Sequence, residues 1–211
     1  MPNWSPKPEW KDQDAILIGG GASLRKFDFS VLKGKNVIGC NDAFRLGKDI
    51  VSYCLFGDPS FFEKNREELA TFGNPVVTCA PSILNKPIPW LLQMRRIRDG
   101  LHEGNIVGWN YSTGATATNL ALSLGARRIM LLGYDLGLQP NGRSHWHDAH
   151  PVPPREEAYR RFMRGFHSVA ASLKRYPEVQ VFNVTDGSSN LKLFPTMSFL
   201  VFQSLMKERA A

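Results

Sequence analysis

Three of the chain's five histidines fall within six residues, in the run Ser144-His145-Trp146-His147-Asp148-Ala149-His150. Two chemistries fit such a cluster. Neutral imidazoles and a carboxylate can ligate a transition metal. Alternatively, one imidazole, with an unperturbed pKa of about 6.5, can serve as general acid or base or meet a phosphate. A purely structural cluster is the third reading.

Two further groups suit an anion. Gly19-Gly20-Gly21-Ala22-Ser23 follows the apolar run Ile16-Leu17-Ile18, so backbone N–H groups can approach a phosphate closely; a tight turn is the plainer alternative. The turn is not the dinucleotide fingerprint, because Leu24 stands where a third glycine would, and no lysine has P-loop spacing. Tyr111-Ser112-Thr113-Gly114 opens an Ala/Leu-rich helix, where hydroxyls and free N–H groups form an anion site or simply cap the helix. Asp58 and Asp135 end strands; each carboxylate is read as a ligand for a ribose hydroxyl, a base or a metal, or as a cap. The histidine run misses the H-x-H-x-D-H pattern of one class of metal hydrolases, and no second H-x-H pair stands out to complete such a site. His102 and His167 have no partner in sequence, and Trp4 and Trp10 read as packing residues.

These groups need elements to hold them. Apolar runs at 15–19, 36–40, 51–56, 75–79, 105–109, 128–133 and 179–184 read as strands, several of them continuously apolar as strands covered on both faces must be. Helical patterns intervene at 60–72, 89–99, 114–125 and 154–175. Alternation of this kind defines an α/β fold with a mostly parallel sheet of six to seven strands and helices on both faces. Ligands then bind outside the carboxyl ends of the strands. Residues 19–23, 41–42, 57–58, 111–114, 134–135 and 185–189 all fall there. The loop 138–154 at that rim has no element of its own and reads as a lid, a binding loop or a disordered segment. Residues 1–13 form an N-terminal extension, and 14–211 a single domain.

Composition narrows the field. The chain has 211 residues, 43% of them hydrophobic and 21% charged, which excludes a disordered or fibrous chain. Its +7 formal charge is dispersed over many arginines, which favours a solvated surface over a nucleic-acid stripe. Three cysteines, Cys40, Cys54 and Cys79, lie in or beside apolar runs and read as reduced, buried thiols of a cytoplasmic protein. No run is long enough to span a membrane, and the polar, Pro-rich start is unlike a signal peptide.

Taken in order, the turn IGGGASL, a strand ending in Cys40-Asn41, Ser112-Thr113-Gly114 before RRIMLLGYDL, a histidine before a long helix, and NVTDGSSNLKLF resemble the bacterial family 42 sialyltransferases. They also resemble the wider Rossmann-like group, many encoded by phages and bacteria, that includes archaeal 6-hydroxymethyl-7,8-dihydropterin pyrophosphokinase. The similarity spans roughly residues 14–200. The sialyltransferase resemblance implies a cytidine monophosphate sugar donor held by Gly19, Gly20, Gly21, Ser23, Asn41, Ser112, Thr113 and Gly114. It further implies His150 as the base that deprotonates the acceptor hydroxyl, and no metal. Two departures stand out. Gly20 replaces an asparagine of the family, and the two tyrosines that meet the leaving phosphate fall near Leu136 or Gly137 and at His145, where an imidazolium would replace a phenol as proton donor. The pyrophosphokinase branch implies ATP and magnesium instead, with Asp58 and Asp135 near the phosphates. A non-catalytic nucleotide- or nucleic-acid-binding protein is the alternative from another class. The sugar, the acceptor and the oligomeric state stay open.

Overall fold

In a computed structural model, residues 3–84, 86–138, 142–148 and 155–208 are described. Eight strands form one parallel sheet: β1 (Asp14–Ile18), β2 (Val37–Cys40), β3 (Tyr53–Phe56), β4 (Val76–Thr78), β5 (Leu91–Gln93), β8 (Arg128–Leu132), β9 (Gln180–Val184) and β10 (Thr196–Met197). Their order is β10-β9-β8-β1-β2-β3-β4-β5. β1 lies centrally, with Ile16 opposite Val37 on one side and Met130 on the other.

Alternate residues of the central strands feed opposite faces, as strand geometry requires. Leu17, Ile38, Leu55, Ile129 and Leu131 pack with α2 (Thr113–Ser123) and with Phe166 and Val169 of α3 (Glu156–Leu173). Ile16, Ile18, Val37, Met130 and Leu132 pack instead under Phe202 and Met206 of α4 (Phe199–Glu208). Phe56, Val76 and Leu91 take up Phe61, Phe62 and Leu69 of α1 (Pro59–Ala70). Both faces are covered, which is why the strand sequences are nearly continuous in apolar residues.

Three local expectations change. The segment 89–99 is not a helix: it forms β5 and then β6 (Arg95–Ile97). β5 gains its partners from β4 and from Asn3, whose backbone N–H donates to the Gln93 carbonyl at 3.1 Å while its side chain accepts from Gln93 N at 2.8 Å. Tertiary pairing of this kind overrides a local helical pattern. The run at 105–109 does form a strand, β7 (Ile106–Gly108), but it pairs in parallel with β6 in a separate two-stranded sheet. β10 and α4 had no counterpart among the expected elements. Trp10 is buried against Tyr53, ring centroids 5.5 Å apart, so the first residues pack on the sheet's helical face.

All three cysteines are free and buried. Burial pushes the Cys40 and Cys79 thiols up to about 12, and Cys54 well above its ordinary value. At pH 8 none should react with a disulfide reagent in the folded protein, and all three should titrate in denaturant; rapid labelling of the native state would contradict this packing. Among the described residues no helix is long and apolar enough to cross a membrane.

Candidate functional site

The carboxyl ends of β1, β2, β3 and β8 surround a cleft of about 560 Å³. Gly19, Gly20 and Gly21 form one wall. Gly19 N donates to the Leu132 carbonyl and Gly21 N to the Gly133 carbonyl, both at 2.8 Å, so the turn runs hard against the end of β8. A Cβ on Gly21 would meet the Asp135 carboxyl group at 2.5 Å. That carboxylate accepts from Ser23 N at 2.8 Å and from Ser23 Oγ at 2.6 Å. Asp135 thus lines the cleft and locks the turn, whereas Ser23 spends its hydroxyl on the lock and lies outside the lining.

Asn41 follows β2 in the left-handed region, at φ 52°. Its Oδ1 is buried and has no hydrogen-bond partner among the described residues. An orphaned acceptor beside a cleft calls for a donor from a ligand. Asp58 reaches the same wall but accepts from Ser60 N and Ser60 Oγ at 2.9 and 3.0 Å, capping α1.

The opposite wall is the start of α2. Asn110 and Tyr111 are both left-handed, at φ 47° and 60°. The Asn110 side chain holds the bend, accepting from Gly100 N at 2.8 Å and donating to the Gly100 carbonyl at 2.9 Å. Ser112 Oγ accepts from Ala115 N at 3.1 Å, so its hydroxyl is the helix cap. Thr113 and Gly114 contribute the first-turn N–H groups of the helix, which have no acceptor within it and favour an anion. A side chain on Gly114 would strike the Tyr134 ring, whose hydroxyl donates to the Gly114 carbonyl at 3.3 Å.

His145 closes the cleft from above. It forms an isolated antiparallel bridge with Gly21. Trp146 clamps the same turn, donating from N to the Gly20 carbonyl and from Nε1 to the Gly19 carbonyl, both at 3.0 Å. A Cβ at position 20 would lie 2.8 Å from His145 Cδ2. The imidazole thus fills the room that a side chain at 20 would need. Ser144 Oγ lies 2.7 Å from His145 Nδ1 and fixes the ring. The His147 ring lies nearby at a tilt of 36°, centroids 5.4 Å apart. Asp148 turns away to Arg143 and Arg25, at 3.2 and 3.9 Å. Among the described residues no three His, Cys, Asp or Glu side chains gather as a metal site. His150 lies outside the described residues. His102 is engaged locally, its Nε2 lying 2.7 Å from the Asp99 carbonyl oxygen.

Several lining residues were not among the expected site residues. Trp109 sits against Gly57, with the Arg96 guanidinium 4.7 Å over its ring. Arg161 and Tyr159 reach in from α3. Tyr159 Oη is buried without a hydrogen-bond partner among the described residues, and burial raises the phenol's pKa. One signal was present: Tyr159 and Arg161 sit in the first turns of the helix that follows the histidine loop. Arg96 was hidden by the helical reading of its segment.

The open parallel sheet with helices on both faces and a cleft at the strand ends is Rossmann-like, and in fold it is similar to a solved sialyltransferase. The particular likeness is to CstII from Campylobacter jejuni in its complex with cytidine-5'-monophosphate: the TM-score is 0.55 at 15% identity, over 87% of this chain and 84% of that one. A second CstII structure, with CMP-3FNeuAc, gives a TM-score of 0.49 at 14% identity over the same shares. No family model matches the chain, and no curated protein matches it.

Proposed function

We propose that this chain is a glycosyltransferase that uses a CMP-type activated sugar without a metal. The observation that carries the reading is the convergence of the glycine turn, the orphaned Asn41 Oδ1, the start of α2 and His145 on one cleft at the strand ends. The nucleotide lies against Gly19–Gly21 and Asn41. Its phosphate faces the Thr113 and Gly114 N–H groups, where the helix end favours negative charge. The acceptor oxygen attacks the anomeric carbon as the bond from that carbon to the phosphate oxygen breaks. His150 takes the proton from the acceptor hydroxyl, and His145 hydrogen-bonds to or protonates the departing CMP. The buried free thiols support a reducing, cytoplasmic setting.

Calorimetric titration with CMP, CDP, UDP, GDP and ATP, each with and without magnesium, tests the reading. CMP should bind in the absence of magnesium. ATP binding that requires magnesium would replace the proposal with a pyrophosphokinase-like transfer. Absence of nucleotide binding together with steeply salt-dependent DNA or RNA binding would replace it with a nucleic-acid-binding role.

A further inference from the structure

We infer that the acceptor is itself anionic: a saccharide carrying a phosphate or carboxylate, seated in a second cleft beside the donor cleft and read by arginines of α3. The inference rests on the transferase reading above and extends it to the other substrate. The second cleft, about 860 Å³, shares Leu136, Gly137 and Tyr159 with the first, so a ligand in it lies across the Tyr159 wall from the donor.

One face of α3 supplies most of its lining. Glu156, Arg160, Met163, Arg164 and His167 recur at three- and four-residue spacing, which places them on successive turns of one stripe. Leu138 and Asn190 face them. Arg160 and Arg164 also border an adjoining groove with Arg155 and Arg161. Across the two, four guanidiniums meet two carboxylates, Glu156 and Glu157. Glu156 is matched by Arg160 at 2.7 Å. The guanidinium of Arg164 lies 4.6 Å over the Tyr111 ring, held at the wall of the donor cleft.

Guanidinium groups recognise phosphate and carboxylate through paired N–H donors. The apolar flank of Met163, Leu138 and Tyr159 suits the C–H face of a sugar ring. The cations gather at one end of one helix beside a concave cleft, which fits a compact charged sugar better than an extended strand of nucleic acid.

Saturation-transfer NMR on the CMP-loaded protein with galactose, galactose 6-phosphate and galacturonate tests the inference. The two charged sugars should bind at least tenfold more tightly than galactose, and their relative strength distinguishes phosphate from carboxylate. The double variant Arg160→Gln/Arg164→Gln should lose that preference while the melting temperature holds, and Arg160→Gln alone, at a position outside the donor cleft, should weaken it with CMP affinity unchanged. Equal binding of all three sugars, a charged preference that survives the double variant, displacement of the charged sugars by added CMP, or their displacement by a single-stranded oligonucleotide would each overturn the inference. Failure of CMP to bind would strike the donor reading instead, and the sugar preference of the unliganded protein would still be measured.

Discussion

Alanine at position 150 should slow sugar transfer by about 10²- to 10⁴-fold, the usual worth of a positioned general base. Nucleotide affinity should not change, because the groups proposed to hold the nucleotide belong to the glycine turn, Asn41 and the start of α2. His145 cannot take over. Its ring is fixed by Ser144 and lies against Gly20, and the Gly21 bridge and the Trp146 clamp tie it to the turn proposed to hold the nucleotide. Single-turnover transfer together with CMP titration separates the two quantities. The rise of kcat/KM with pH that reports deprotonation of the base should vanish in the variant. Turnover that matches the parent would remove His150 from the mechanism.

The largest expected effect on stability is at Gly165. In an isolated helix, Gly→Ala gains about 1 kcal/mol. Here α3 crosses the Asn110 bend so closely that a Cβ on Gly165 would penetrate the Asn110 carbonyl oxygen. Asn110 is fully buried and held by Gly100, so it is the helix that must move. Overpacking costs about 1–3 kcal/mol, and more against backbone that cannot yield. We expect Gly165→Ala to lose about 2 kcal/mol net, a fall in Tm of about 4–8 °C. Because Tyr111 and Ser112 continue from the bend, CMP affinity should fall at least about tenfold as the start of α2 is displaced. A variant more stable than the parent would show that helix propensity outweighs this contact.

The sheet was legible because parallel strands buried on both faces must be apolar throughout, and Ile16-Leu17-Ile18 or Met130-Leu131-Leu132 leave little else to infer. The positions of Gly19–Gly21, Asn41, Asp58, Ser112–Gly114 and Asp135 at one rim followed from strand direction. Their roles did not. Whether Asp58 faces a ligand or caps α1, and whether Ser23 serves a ligand or Asp135, depends on hydrogen bonds between residues that are 2 and 112 positions apart in the chain. Local sequence carries the first kind weakly and the second not at all. β5 and β6 were hidden because three-residue strands show no periodicity and Arg95, Arg96 and Arg98 imitate the basic end of a helix. The contact between Gly20 and His145 joins residues 125 positions apart, which the sequence shows only as two separate features.

Among the described residues, three of the five non-glycine residues with left-handed backbone, Asn41, Tyr111 and Leu136, line the rim cleft. Such conformations cost of order 1–3 kcal/mol each when a side chain larger than asparagine must adopt them. The cleft therefore stands where selection for thermostability and selection for binding pull apart. Glycine at 111 or 136 would relieve the backbone yet release the bend that aims α2. Directed evolution for heat resistance alone should accumulate changes at these positions first, and should arrive at sturdier proteins with slack sites.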